Sequence, residues 1–147
     1  MFRLQRSMIE ETFEILRSCG SNKHECQIYW LSSWDSPSAL TEIAHPLHRS
    51  SRAGLCIDSD WINKFWLELG RRNLGVRVQI HTHPEEAFHS ATDDEFPLLH
   101  NVGFLSLVIP NFAMGPVGMQ DAYLTEIQPT GSWQQVDIRS RIQIDEH

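Results

Sequence analysis

The chain has 147 residues, of which 41% are hydrophobic and 21% are charged, and its formal net charge is -7. These values predict one folded domain over residues 1–147 and exclude a disordered chain. No apolar run approaches the ~20 residues that span a bilayer, and no basic stripe marks a nucleic-acid surface. We therefore expect neither a membrane nor a nucleic acid as a partner.

The cysteines and the N-terminus bear on the cellular compartment. Cys19, Cys26 and Cys56 make an odd number with no C-x-x-C pair, which fits a reducing environment, and we expect them to be small buried apolar residues. The first twenty residues carry charges throughout and lack the apolar segment of a secretory signal. Both features predict a cytoplasmic protein.

The first half of the chain predicts two helices with short strands between them. Apolar residues recur with a helical period over residues 6–18 and again over residues 59–72. Strand-forming residues predict short strands at 26–31 and 40–44, and residues 47–54 are expected to form a polar loop. The apolar stripe of the second helix consists of Ile62, Phe65, Trp66 and Leu69.

The second half predicts more strands. Residues 76–80 alternate as a half-buried strand does, residues 105–109 form an apolar run that ends at a proline, and residues 122–127 are strand formers. A short helix is expected after Ser90, and the tail after residue 131 gives no clear pattern. Because strands and helices alternate without a strict βαβ rhythm, we predict an α/β (α+β) fold with a mixed β-sheet flanked by helices.

A cluster of metal-binding residue types follows the strand at 76–80. His81 and His83 project on the same side of an extended strand, because side chains alternate with a period of two. A catalytic zinc ion requires three nitrogen or oxygen ligands and one open position. Ser90 and Asp93 would lie on one face of the next helix, so Asp93 could supply the third ligand.

Each part of this pattern has a simpler interpretation. Two histidines at a strand end can be polar side chains that face solvent. Ser90 and Asp93 also have the spacing of a capping box at the start of a helix. The combination of His-x-His-Pro with Ser-x-x-Asp within ten residues is more specific than either part, and it favours a metal site.

The segment HTHPEEAFHSATD, residues 81–93, resembles the metal motif of the JAB/MPN (JAMM) metalloprotease family. The resemblance implies the JAB/MPN (cytidine-deaminase-like) architecture, a Zn²⁺ cofactor, and cleavage of peptide or isopeptide bonds after ubiquitin or ubiquitin-like proteins. The segment is similar above all to small bacterial members of ubiquitin-like conjugation operons, some of which are antiphage systems.

The resemblance also assigns roles to individual residues. His81, His83 and Asp93 match the family's metal ligands, and Ser90 matches the serine beside the metal. Glu25, at the start of the first strand after the first helix, matches the family's general base. These roles predict a hydrolase that forms no covalent intermediate and needs none of the cysteines.

Two assignments have rivals within the chain. The spacing between His83 and Ser90 is one residue shorter than is usual in the family, which makes Asp94 a rival ligand to Asp93. Asp93 is preferred because it preserves Ser-x-x-Asp. Glu42 is the next carboxylate on an early strand and is the alternative to Glu25 as the base.

The implied partner is a ubiquitin-like protein, bound by its C-terminal tail, together with its conjugates and the activating and conjugating enzymes of the same operon. One alternative is a peptidase that processes a sulfur-carrier protein in metabolism. Another is a non-catalytic MPN-like scaffold, which normally lacks the metal ligands. A zinc nucleoside deaminase is excluded, because the sequence lacks the Pro-Cys-x-x-Cys signature that must accompany His-x-Glu in that class.

Overall fold

The structure is a computed structural model that describes residues 1–21, 23–51, 54–85 and 98–146. This part of the chain contains ten strands, two α-helices and two short 3-10 helices. In chain order they are β1 (Phe2–Gln5), α1 (Arg6–Gly20), β2 (Gln27–Ser33), β3 (Glu42–Ala44), β4 (His48–Ser51), β5 (Gly54–Ile57), α2 (Ser59–Arg72), β6 (Leu74–Thr82), β7 (Leu105–Ile109), the 3-10 helix Asn111–Ala113, β8 (Tyr123–Ile127), β9 (Trp133–Gln135), the 3-10 helix Ile138–Ser140 and β10 (Ile142–Asp145). Within the described ranges, every helix is too short or too polar to cross a membrane.

The centre of the fold is a six-stranded sheet with the order β3-β2-β6-β7-β8-β9. Only the β6–β7 pair is parallel, and the other neighbours are antiparallel. The predicted mixed sheet is therefore confirmed, as are the two predicted helices. β6 is a central strand whose side chains are buried on both faces of the sheet.

α1 covers one face of the sheet with the apolar stripe that the sequence predicted. Its buried residues pack on Trp30 and Ile80 of the two central strands. The indole N–H of Trp30 donates a hydrogen bond of 3.0 Å to the Thr12 hydroxyl of α1. Both side chains are fully buried, so this bond satisfies a polar group inside the main core.

α2 covers the other face. The Asp58 carboxylate caps the helix by accepting a hydrogen bond of 2.9 Å from the backbone N–H of Trp61. Phe65 stacks on Trp61 and on Tyr29 of β2, with ring centroids 4.6 Å and 5.9 Å apart. The prediction that Trp66 belongs to the buried stripe is wrong, since it is 38% exposed. The side of α2 that faces the sheet carries Trp61 and the residues four and eight positions after it, Phe65 and Leu69.

Short strands account for the other differences from the sequence. The expected polar loop at residues 47–54 contains β4 and the first residue of β5, and these two strands pair in an antiparallel hairpin. In the tail, β10 pairs in parallel with β1 at the opposite end of the chain. A strand of four residues shows too little alternation of polar and apolar side chains to be recognised from the sequence. β1 and β10 are also far apart in the chain, and β4 has no apolar residue.

The buried Trp30–Thr12 hydrogen bond gives a test of the main core. We expect Thr12→Val to lower the free energy of unfolding by about 1–3 kcal/mol, because the indole N–H is left buried without an acceptor. Urea denaturation measures the change. Thr12→Ser retains the hydroxyl and is the matched control, and equal losses in the two variants would contradict this role of the hydrogen bond.

Candidate metal centre

Two histidines meet at the end of the central strand β6. His81 is the penultimate residue of the strand and His83 follows its last residue, so both project from the same face. Their Nε2 atoms lie 3.2 Å apart, and each residue is 4% exposed. The two ring nitrogens therefore converge on one point at the edge of the core.

Backbone hydrogen bonds fix the chain around His83. Its N–H donates to the Ile109 carbonyl at 2.9 Å, and its carbonyl accepts from the N–H of Phe112, also at 2.9 Å. Both partners belong to the end of β7 and the turn that follows it. The parallel pairing of β6 with β7 thus continues past the strand and holds the second histidine.

The turn after β7 has an unusual backbone. The three residues of Asn111–Ala113 have positive φ angles of 56°, 52° and 62°, a left-handed conformation that costs non-glycine residues of order 1–3 kcal/mol each. The Arg17 guanidinium of α1 donates hydrogen bonds to the carbonyls of Ala113 and Gly115, the second at 2.6 Å. Sequence analysis missed this support for the site, because no residue in this turn is a glycine that would signal positive φ.

Strand pairing ends close to Glu25. Gln27 pairs with His81, and the Cys26 N–H donates to the Thr82 hydroxyl at 2.9 Å. Glu25 lies two residues before Gln27, beyond the end of this ladder, and an extended backbone would set its side chain on the same face as Gln27. Glu25 is half-buried, and its role stays a prediction.

Further polar side chains lie along the face of the sheet that carries the two histidines. The Gln27 side-chain amide donates to the Tyr29 hydroxyl at 2.8 Å, and burial raises the pKa of Tyr29 to about 12. The Gln79 amide donates to the Ser106 hydroxyl at 3.1 Å. Tyr29 is therefore a neutral hydrogen-bonding group at physiological pH.

Ser90, Asp93 and Asp94 lie outside the described residues. The chain before them is attached at Glu85, whose carbonyl accepts a hydrogen bond of 3.0 Å from the N–H of Asn111. The chain after them is attached at Leu98, whose N–H donates to the Gln79 side chain at 3.1 Å. Both attachment points are at the end of the sheet that carries the histidines.

The donor set suits a divalent metal. A tetrahedral ion with metal–nitrogen bonds of about 2.0–2.1 Å holds two ligand nitrogens about 3.3 Å apart. The observed Nε2–Nε2 separation of 3.2 Å in His81 and His83 matches this value. Two buried imidazoles that converge in this way can hold one metal ion, provided that a further ligand completes the set.

The cysteines differ from the sequence-based expectation. Cys19, at the end of α1, forms a disulfide with Cys26, just before β2, and their Cα atoms are 6.0 Å apart. Cys56 is free and exposed. The prediction of three small buried apolar cysteines is therefore wrong for Cys19 and Cys56, and Cys26 is buried but paired. Spacing alone could not reveal a pair that the helix and the strand bring together.

Comparisons with known proteins point to a metalloprotease. A probable metalloprotease of Sinorhizobium fredii is 30% identical in an alignment of 138 residues that covers 90% of this chain and 85% of the relative. A JAB1/MPN domain protein from Archaeoglobus fulgidus has a similar fold, with a TM-score of 0.57 and 12% identity over 98% of this chain and 97% of its own. A protein from Desulfitobacterium hafniense has a TM-score of 0.67 and 14% identity over 100% of this chain and 94% of its own. No protein-family model matches the sequence.

The converging histidines predict a bound metal that can be removed by mutation. We expect His81→Ala to lose one equivalent of metal per chain, because one of the two buried nitrogen donors is gone, while the fold persists. Metal content by atomic emission, with far-UV circular dichroism, measures both. His100→Ala is the control, since His100 is exposed. Equal metal content in the two variants would contradict the assignment.

Proposed function

Because the chain belongs to the JAB/MPN metalloprotease family, we propose that it is a zinc-dependent peptidase or isopeptidase that cleaves after the C-terminus of a ubiquitin-like protein. The observation that carries this proposal is the buried pair of imidazole nitrogens of His81 and His83, 3.2 Å apart at the end of β6. In the proposed site these two histidines and Asp93 hold the zinc ion. Such a donor set of two nitrogens and one carboxylate leaves a position open for reaction.

Glu25 is the proposed general base. When bound, zinc supplies a Lewis acid that polarises a carbonyl and acidifies a water molecule. The Glu25 carboxylate takes the proton of the attacking water and delivers it to the departing amine, which is otherwise a poor leaving group. The pairing of Gln27 with His81 supports this role, because Glu25 lies only two residues before Gln27 and an extended backbone would bring it to the same end of the sheet.

Ser90 is the proposed donor to the developing oxyanion. A hydroxyl that donates to the oxygen of the scissile carbonyl stabilises the charge that appears as water adds. The assignment rests on the motif Ser-x-x-Asp and on the attachment of both flanking segments beside the histidines. No cysteine takes part, since the water attacks directly.

The surface beside the histidines suits an extended peptide tail. The turn that binds the backbone of His83 continues into Met114 and Val117, which are 52% and 38% exposed. Exposed apolar side chains next to a catalytic centre can contact the flexible tail of a ubiquitin-like protein. The net charge of -7 favours a partner with a basic face.

The proposed cellular setting is a bacterial ubiquitin-like conjugation system, including antiphage systems, with activating and conjugating enzymes as further partners. Deconjugation and processing of a sulfur-carrier protein use the same chemistry. Two substrates separate them: an isopeptide-linked conjugate of the ubiquitin-like protein and a linear fusion to a sulfur-carrier protein. Cleavage of the conjugate supports deconjugation, whereas cleavage of a sulfur-carrier fusion alone supports the metabolic alternative.

The two neighbouring aspartates give a test of the third ligand. We expect Asp93→Asn to abolish binding of the catalytic metal and Asp94→Asn to leave it unchanged, because only Asp93 keeps the Ser-x-x-Asp spacing. Each variant is the other's control, being the same change one residue away. Isothermal titration with zinc measures the affinity, and the reverse pattern would assign the ligand to Asp94.

The role of Glu25 gives the test of the mechanism. We expect Glu25→Gln to retain zinc and the fold but to lose turnover by at least the ~10²–10⁴-fold that acid–base assistance contributes, because one carboxylate serves both proton transfers. The variant should still bind the ubiquitin-like protein, since recognition does not use the carboxylate. Single-turnover cleavage of a fusion and pull-down of the uncleaved fusion measure the two effects.

Glu42 provides the matched control. Its carboxylate forms a two-point ion pair with Arg72 of α2, with N–O distances of 2.9 Å and 2.6 Å. It pairs with Leu31, four residues along β2 from Gln27, roughly 13 Å from the histidine end of the sheet. Glu42→Gln should therefore cleave at the normal rate. Normal cleavage by Glu25→Gln with zinc in place would refute the proposed base.

A further inference from the structure

A second group of metal-binding side chains lies on the opposite side of β2. Cys19, Cys26, His45 and His48 each offer one ligand atom, and these four atoms lie within 4.8 Å of one another. The Cys19 Sγ is 3.3 Å from the Nε2 of His48, and the Cys26 Sγ is 3.3 Å from the Nε2 of His45. The cluster opens to solvent through a surface hollow of about 340 Å³.

Hydrogen bonding orients one of the imidazoles for ligation. The Nδ1 of His48 lies 2.9 Å from the Pro46 carbonyl, which can only accept, so Nδ1 is the protonated nitrogen. The Nε2 of His48 therefore carries the lone pair and directs it at Cys19. A histidine that donates its other N–H to a backbone carbonyl is a common arrangement among metal ligands, because it fixes both the tautomer and the ring orientation.

We propose that, when the disulfide is reduced, Cys19, Cys26, His45 and His48 bind a zinc ion in a closed tetrahedral site. Zinc–sulfur bonds of about 2.3 Å and zinc–nitrogen bonds of about 2.0–2.1 Å separate a sulfur from a nitrogen ligand by about 3.6 Å. The two observed sulfur–nitrogen distances of 3.3 Å are close to this value. Four protein ligands leave no open position, so this zinc ion is structural.

The disulfide and the zinc site exclude each other. Two thiolate ligands of one zinc ion lie about 3.8 Å apart, too far for a sulfur–sulfur bond. A dithiol reductant transfers two electrons to the disulfide, which breaks the S–S bond, gives two thiols and leaves the reductant as a cyclic disulfide. Binding of Zn²⁺ then releases two protons from these thiols. The four ligands are thus a redox-dependent metal site.

The proposed zinc ion joins three segments of the chain. Cys19 lies in the last turn of α1, Cys26 precedes β2, His45 follows β3, and His48 is the first residue of β4. Cys26 belongs to the core on the α1 face of the sheet, whereas Gln27 next to it pairs with His81 and shares the opposite face with it. The second site is therefore separate from the candidate catalytic centre.

Cobalt(II) titration of the full chain tests the proposal. After reduction, removal of the reductant and loading without oxygen, we expect wild type to show an absorption band from thiolate-to-cobalt charge transfer. His81→Ala should retain this band, because its histidine belongs to the other centre. Cys19→Ser and His48→Ala should each weaken binding of the cobalt ion that gives this band. The loss of affinity should exceed the ~10–100-fold that follows mutation of a residue hydrogen-bonded to a ligand, because a ligand itself is removed. Cys56→Ser and His24→Ala are the matched controls, since neither residue belongs to the cluster.

Counting reactive thiols gives an independent measurement on wild type. Alkylation of the reduced chain followed by mass spectrometry should modify Cys19 and Cys56 without zinc and only Cys56 with zinc, since Cys26 is buried in either case. Absence of the charge-transfer band in reduced wild type, or its loss in either control variant, would overturn the ligand set. Equal alkylation with and without zinc would do the same. Failure of Glu25→Gln to slow cleavage would concern the catalytic proposal alone, because these readouts measure no cleavage.

Discussion

The position of β6 between β2 and β7 is the constraint on which the candidate site depends. The parallel β6–β7 ladder continues beyond the strand through the hydrogen bond from His83 to Ile109, so the second histidine stays in strand geometry outside the regular sheet. The antiparallel β2–β6 ladder pairs Gln27 of β2 with the first histidine, His81. A register shift of one residue in that ladder would bring Cys26 opposite His81 and turn Gln27 to the other face.

Strand alternation also separates two sets of metal-binding residues within a short stretch of chain. Gln27 shares the face of His81, whereas Cys26 is buried on the α1 face, near the end of that helix. The proposed structural site and the catalytic centre therefore lie on opposite sides of the same strand. Anything that fixes the backbone of Cys26 also fixes its neighbour Glu25, because the two residues are covalently adjacent.

Local patterns predicted the parts of the fold that depend on local physics. The stripes of α1 and α2 and the alternation before His81 were readable because each element has its own period, and the helices and the strand were confirmed. The pairing of β1 with β10 was not readable, since it joins the two ends of the chain. The metal motif was recognisable because His81 and His83 lie only two residues apart in the sequence. The Cys19–Cys26 pair and its two histidines come together only when three segments pack.

Free energies indicate which state of the cysteine cluster stabilises the fold more. A disulfide between residues seven apart removes little chain entropy, and the loop-closure estimate is about 2–3 kcal/mol. A structural zinc ion contributes apparent binding energies of about 10–16 kcal/mol in small metal-folded peptides, since all four ligands are held at once. The zinc form also ties the segment around Pro46 to the core, which the disulfide does not. Under reducing conditions with zinc present, the metal form is therefore the more stable one. To form the disulfide, an oxidant must break the zinc–thiolate bonds, and the segment around Pro46 is then released from the core.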